Sequence, residues 1–260
     1  MKTNPRRRKH LVTYPQILET LEERALLTGD VAVIQQGDTL RIQGDHANNS
    51  LYISGDAETI TVVGLNNTET TINGSLDPVQ FTNIQRIEVE GKAGNDAIVA
   101  FFLNSGADDL LISGGDGHDA IDVWTNSGVS VQIDSGSGAD LVSFTSASAY
   151  GGGGNVSIVT ADGDDELSMD LLQHQGNIDV DMGNGNDRVR ATIREANGDL
   201  SIDGGNGSDD VTIRPWASYY GGIRVNLILH GGNGQKDSLF VQPSLIVYSL
   251  TEYLGWENQN

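Results

Sequence analysis

A short phrase returns seven times between residues 91 and 237, and this recurrence limits the fold more than any other feature of the chain. It reads as two small residues, any residue, Gly, any residue, Asp, any residue, then an aliphatic. The clearest copies are Gly114-Gly115-Asp116-Gly117-His118-Asp119 and Gly204-Gly205-Asn206-Gly207-Ser208-Asp209. Ser135-Gly136-Ser137-Gly138-Ala139-Asp140 and Met182-Gly183-Asn184-Gly185-Asn186-Asp187 are close to them. The copies closing at Asp96, after Asp162 at Asp165, and at Asp237 are degenerate, the last with one extra residue. The closing aspartates are spaced 23, 21, 25, 22, 22 and 28 residues apart. A period near 22 is that of a solenoid, in which one unit cannot bury its own apolar face and stacking supplies the core.

The flanks of each copy say which solenoid. Val131-Gln132-Ile133 and Ile178-Asp179-Val180 precede a turn, while Ile121-Asp122-Val123 and Val211-Thr212-Ile213 follow one. Period-two alternation of β-branched residues marks a half-buried strand. A looser turn rich in Gly and Asn, such as Gln175-Gly176-Asn177, returns the chain. The expected fold is therefore all-β: a parallel β-solenoid, β-helix- or β-roll-like, with coils of about 22 residues. No helical pattern lies between successive strands, which excludes a doubly wound sheet. Residues 30–90 read as irregular first coils, 91–241 as the repeat array and 242–260 as a C-terminal cap. Residues 1–29 read as a basic segment with a short amphipathic helix over 16–27, closed by Gly29.

Charge follows the same division. The chain has 15 Lys and Arg against 36 Asp and Glu, a formal charge of -21. Six of the basic residues fall before residue 28, and none lies between Lys92 and Arg188, where sixteen carboxylates stand. Such a field excludes nucleic acid and anionic membrane surfaces as partners. No apolar run reaches the ~18 residues of a membrane-spanning helix, and with no cysteine there is no disulfide or thiolate metal site.

The turns suit a hard cation. Glycine permits crowded backbone that aims carbonyls to one side, and the aspartate adds a carboxylate at the turn's end. Ca2+ takes six to eight oxygens of these two kinds. Stacking brings equivalent turns to ~4.8 Å, so an ion between layers would meet one carboxylate from each neighbour. The candidate ligand residues are Asp96, Gly115, Asp116, Gly117, Asp119, Gly136, Gly138, Asp140, Asp162, Asp165, Gly183, Gly185, Asp187, Gly205, Gly207, Asp209 and Asp237. The pairs Asp119–Asp140 and Asp187–Asp209 carry the best copies. A metal-free alternative stands beside this, since Gly and Asp also simply make good turns.

Over 91–240 the phrase resembles the Gly-Gly-x-Gly-x-Asp-x-aliphatic-x nonapeptide of RTX, or hemolysin-type, calcium-binding repeats. That resemblance implies a secreted parallel β-roll that folds as calcium binds between turns. The family packs its nonapeptides in tandem, whereas here one such turn recurs per coil, so one edge carries the ligand set. Nearer the N-terminus, Leu21-Glu22-Glu23-Arg24-Ala25-Leu26-Leu27 resembles the LEPR-XLL motif of planctomycete surface and secreted proteins, with Glu23 where Pro is usual. This implies export to the cell surface or beyond, although no ordinary signal peptide is visible.

Other chemistries have weaker support. Asp108-Asp109, Asp164-Asp165 and Asp209-Asp210 point to opposite faces of a strand or lie in turns, and the five histidines read as isolated, solvated rings. Parallel β-helices do host polysaccharide lyases and hydrolases, for which Arg188, Arg190, Arg194, Arg214 and Arg224 could line a strip. The sequence reads best as a non-enzymatic, secreted or surface-associated calcium-binding solenoid with a structural or adhesive role. Its expected partners are calcium ions, with a cell-surface glycan or another surface protein beyond them. A carbohydrate-active β-helix and a metal-free structural solenoid are the alternatives.

Overall fold

A computed structural model describes residues 29–56, 58–65, 69–102, 106–125, 128–147, 154–215, 225–234, 236–242, 247–254 and 257–258, and for 247–258 the backbone alone. The helix expected over 16–27 and the LEPR-like segment lie outside the described residues. Every described element is a strand. The first six are β1 (Asp30–Gln36), β2 (Thr39–Gln43), β3 (Ser50–Gly55), β4 (Thr59–Gly64), β5 (Thr71–Ile72) and β6 (Val79–Thr82). The array proper starts with β7 (Arg86–Ala93), β8 (Ala97–Phe102), β9 (Asp109–Asp116), β10 (Ala120–Thr125), β11 (Ser130–Ser137) and β12 (Leu141–Ala147). It continues through β13 (Val156–Val159), β14 (Glu166–Gln173), β15 (Ile178–Asp181), β16 (Arg188–Ile193), β17 (Asp199–Asp203) and β18 (Asp210–Pro215). The last are β19 (Val225–His230), β20 (Ser238–Val241), β21 (Val247–Leu254) and β22 (Glu257–Asn258).

The strands form two eleven-stranded sheets and alternate between them from β5 onward. The first runs β21-β19-β17-β15-β13-β11-β9-β7-β2-β1-β5 and the second β22-β20-β18-β16-β14-β12-β10-β8-β3-β4-β6. From β7 onward every pairing is parallel, so each coil contributes one strand to each sheet. This is the parallel β-solenoid that the alternation implies. Inward residues of both sheets join one core: Leu110, Ile112, Ile121 and Val123 in one coil stack on Val131, Ile133, Val142 and Phe144 in the next. At ~25 cal/mol per Å2 of apolar surface removed from water, such stacked aliphatics supply the main drive to fold.

The beginning of the chain follows another rule. There β1 pairs antiparallel with β2, and β4 with β3 and β6. These hairpins lie against the first parallel coil, where an exposed row of strand N–H and C=O groups would otherwise invite pairing with another chain. Among the described residues no helix is long and apolar enough to cross a membrane.

Each Gly-Asp turn links a strand of the first sheet to one of the second. Its fourth position is Gly in all seven copies: Gly94, Gly117, Gly138, Gly163, Gly185, Gly207 and Gly234. The reason is contact as much as torsion. A Cβ on Gly138, Gly163 or Gly185 would fall 1.6 Å from the carbonyl oxygen of its counterpart one coil back, and their φ values of 134°, 149° and 149° are ones L residues rarely adopt. The second position is less strict, since Lys92 and Ala161 occupy it at positive φ.

Candidate functional site

Backbone amides in a tight turn leave the sheet ladder and need acceptors elsewhere. The closing aspartates supply them. Asp96 N–H donates to Asp119 Oδ1 at 2.8 Å, Asp119 to Asp140 at 2.8 Å, and Asp140 to Asp165 at 2.7 Å. Asp165 N–H donates to Asp187 at 2.8 Å, Asp187 to Asp209 at 2.9 Å, and Asp209 to Asp237 at 3.2 Å. At the N-terminal end Asn49 N–H donates to Asp96 Oδ1 at 2.7 Å. One carboxylate oxygen per coil is thus committed to holding the adjacent turn.

The other oxygen is not. Oδ2 of all seven aspartates is buried and has no hydrogen-bond partner, although each residue is only 1–3% exposed. Burial raises the carboxyl pKa of Asp96, Asp165 and Asp209 to about 6 and that of Asp187 to about 7. The accepted N–H opposes this rise, and neighbouring carboxylates add to it. Asp119 shifts upward for the same first reason.

What faces Oδ2 depends on the first position of the turn, five residues earlier. Where that residue is Gly91, the point its missing Cβ would occupy lies 2.4 Å from Asp96 Oδ2 and 2.3 Å from the Gly114 carbonyl oxygen. Beside Gly114 the same point lies 2.5 Å from Asp119 Oδ2 and 2.4 Å from the Ser135 carbonyl oxygen. A side chain at either position would collide with one carboxylate and one carbonyl oxygen, which close in on the bare glycine Cα. In the next coils the first position carries a side chain: Ser135 Oγ donates to the Thr160 carbonyl at 3.3 Å, and Thr160 Oγ1 to the Met182 carbonyl at 2.8 Å. Met182 itself then stands at the first position of the Asp187 turn. The first position is thus bare at the Asp96, Asp119 and Asp209 turns and carries a side chain at those of Asp140, Asp165 and Asp187.

The oxygens suit a hard cation in kind, and the unpartnered Oδ2 row is the observation that favours one. Among the described residues no three His, Cys, Asp or Glu side chains cluster to hold a metal. An ion here would therefore combine two stacked carboxylates with main-chain carbonyls. The other sequence candidates serve differently. Gly115, Gly136, Gly183 and Gly205 give the positive φ of the second position, and Gly117, Gly138, Gly185 and Gly207 the close approach of the fourth. Asp116 and Asp162 face outward, accepting from Ser137 Oγ at 2.9 Å and Asn184 Nδ2 at 2.6 Å.

An outer row complements the inner one and was not read from the sequence. The side chain at the fifth position caps the N–H of the following coil: Asn48 caps Asn95, Asn95 caps His118, Asp164 caps Asn186, and Asn186 caps Ser208, at 2.7–3.1 Å. His118 Nδ1 does the same for Ala139 at 2.8 Å. The recurring Asn, Asp and His just before the closing residue were the signal.

His174 corrects an expectation. It is buried rather than solvated, 3.1 Å from Ser146 Oγ and edge-on to Phe144, with Nε2 unpartnered and its pKa driven down to about 4 by burial. Isolation in sequence concealed that the coil returns it inward at its second corner. Arg188 and Arg190 stand outward as ion-pair partners of Asp210 and Glu166, while Arg224 lies outside the described residues. No protein-family model matches the chain, nor do curated proteins or solved structures.

Proposed function

We propose that this chain is a cation-stabilised structural β-solenoid, with calcium as the ion, acting at a cell surface or outside the cell in an adhesive or scaffolding role. The observation that carries the proposal is the row of seven buried, unpartnered Oδ2 atoms, five of them between Lys92 and Arg188, where no Lys or Arg stands. A buried carboxylate oxygen without a partner is costly, and neutralisation by a cation or by a proton relieves it. Asp96 and Asp119 with the Gly114 and Ser135 carbonyls would hold the ion most readily, because the bare glycine Cα lets a carboxylate and a carbonyl oxygen approach the same point there. The resemblance to RTX repeats supports calcium as the cation, and the LEPR-like segment supports export.

The metal-free solenoid is the second reading. It is favoured by the pKa of Asp187, which at about 7 allows a neutral carboxyl near neutrality, and by the buried, apolar Met182 at the first position of the same turn. The carbohydrate-active reading finds less support: the one Ser–His contact among the described residues, Ser146 with His174, is buried away from any substrate.

Thermal melting of the chelated protein with and without ~5 mM Ca2+ tests the proposal. The expected result is a higher Tm with Ca2+ that Mg2+ does not reproduce. Asp119→Asn should melt higher than wild type when chelated, since its amide keeps the accepting oxygen, removes the charge and can donate to the facing carbonyl. Its Ca2+ response should shrink. An unchanged Tm for wild type across this range would sink the calcium reading.

A further inference from the structure

On the outer face of the first sheet, away from the turns, strands β1, β2, β7, β9, β11 and β13 line an open cavity of about 640 Å3. We propose that this groove binds a neutral oligosaccharide laid along the solenoid axis. The proposal concerns a different surface from the aspartate row and does not depend on the cation reading.

Register sets the lining. Ile34 pairs with Arg41, which continues through Glu88, Leu111, Gln132 and Ser157. A second row runs Ala32, Gln43, Glu90, Ser113, Asp134 and Val159. Both cross six strands, so corresponding side-chain positions, each with its own residue, recur every ~4.8 Å over about 24 Å. A pyranose chain repeats at nearly that interval, and successive sugars would meet equivalent positions. The volume falls within the ~300–1,000 Å3 of small-ligand sites.

The chemistry selects the ligand. Gln43, Gln132, Ser113 and Ser157 offer amides and hydroxyls that both donate and accept, as sugar hydroxyls do. Ile34, 54% exposed, together with Leu111 and Val159 offers apolar surface for the C–H faces of the rings. Charge is internally settled. Arg41, the lone cation of the lining, sits 3.3 Å from Glu88, which also pairs with Arg86 at 2.8 Å. Gln43 Nε2 donates to Glu90 Oε2 at 2.6 Å. An anionic chain would find no unpaired cation among these residues and would face Asp134. A basic peptide would find Asp134 as the one lining carboxylate without such a partner.

Isothermal titration of the full-length protein with cellohexaose, mannohexaose, an oligogalacturonate and a lysine-rich peptide tests the groove. At least one neutral hexaose should bind more tightly than the oligogalacturonate and the peptide. Ser113→Trp, which fills the middle of the groove, should weaken that binding at least tenfold. Ser201→Trp lies on the same sheet face beyond the groove and should leave binding unchanged, with far-UV circular dichroism showing both variants folded. Gln132→Ala, a smaller change, should weaken binding several-fold and supplies the same test if Ser113→Trp fails to fold. Preference for the oligogalacturonate or the peptide would overturn the proposal. So would absence of binding to either hexaose, or equal weakening by Ser113→Trp and Ser201→Trp.

Discussion

The inner and outer rows of the Gly-Asp turn do the same mechanical work under opposite conditions. Both use a side-chain acceptor from a neighbouring coil to satisfy a turn N–H. The outer acceptors, Asn95 and Asn186 among them, sit in water, so losing one leaves an amide that water can serve. The inner acceptors are buried, and each carries a second oxygen with no partner. The outer row is thus interchangeable among Asn, Asp and His, while the inner row is Asp from Asp96 to Asp237. Satisfying an amide would be met as well by Asn, and at the first rung Asn49 does so with its own amide paired to Asp45. Retaining a charge in the buried positions asks for something more than capping, and that difference underlies the cation proposal.

The largest effect should come from the spacing that brings the rows together. Gly185→Ala puts a methyl 1.6 Å from the Gly163 carbonyl in a positive-φ backbone, and should abolish cooperative melting or lower Tm by well over 10 °C. Next, Asp187→Ala leaves the buried Asp165 N–H without its acceptor. The expected loss is ~1–3 kcal/mol in urea unfolding at pH 5, where the carboxylate's own charge contributes least. Asn186→Ala, its outer neighbour, exposes the Ser208 N–H to water and should cost no more than ~0.5 kcal/mol. Equal losses from these two would erase the distinction between the rows.

Acidity sharpens the same comparison. Asp96, Asp119, Asp165, Asp187 and Asp209 have folded pKa values above their unfolded ones, so their contribution is full below ~pH 4 and is lost as pH rises through 6 to 7. His174 acts in the other sense. With its folded pKa lowered to about 4, it contributes above ~6.5 and loses that as pH falls toward 4, on the order of 3 kcal/mol for the single group. Several aspartates oppose one histidine, so the chelated protein should gain stability from pH 7 to pH 5 in urea unfolding. His174→Gln should steepen that gain. A chelated wild type that weakens over this interval contradicts the assignment.

Much of the coil was legible in the residues. Alternation such as Val131-Gln132-Ile133 fixes which side chains enter the core, and the Gly at 117, 138, 163, 185 and 207 marks where coils come too close for a Cβ. The spacing of the aspartates returned as the spacing of the rungs. Direction was harder to read. Nothing local separates Asp116, which faces water, from Asp119, which is buried, until the turn's path is known. Nor does sequence tell that a carboxylate and a carbonyl oxygen close in on Gly91 and Gly114 where Thr160 and Met182 carry side chains, because that depends on which residue stacks on which. The antiparallel hairpins at the start also depend on long-range pairing and carry no periodic signature.

The most direct test of the cation reading is a crystal grown in ~5 mM Ca2+, examined by anomalous scattering at a wavelength where calcium contributes. The account expects peaks within ~2.3–2.6 Å of Asp96 and Asp119 Oδ2, inside the turn edge. Well-ordered aspartates with no anomalous density there, each Oδ2 instead at hydrogen-bond distance from the facing carbonyl, would contradict it.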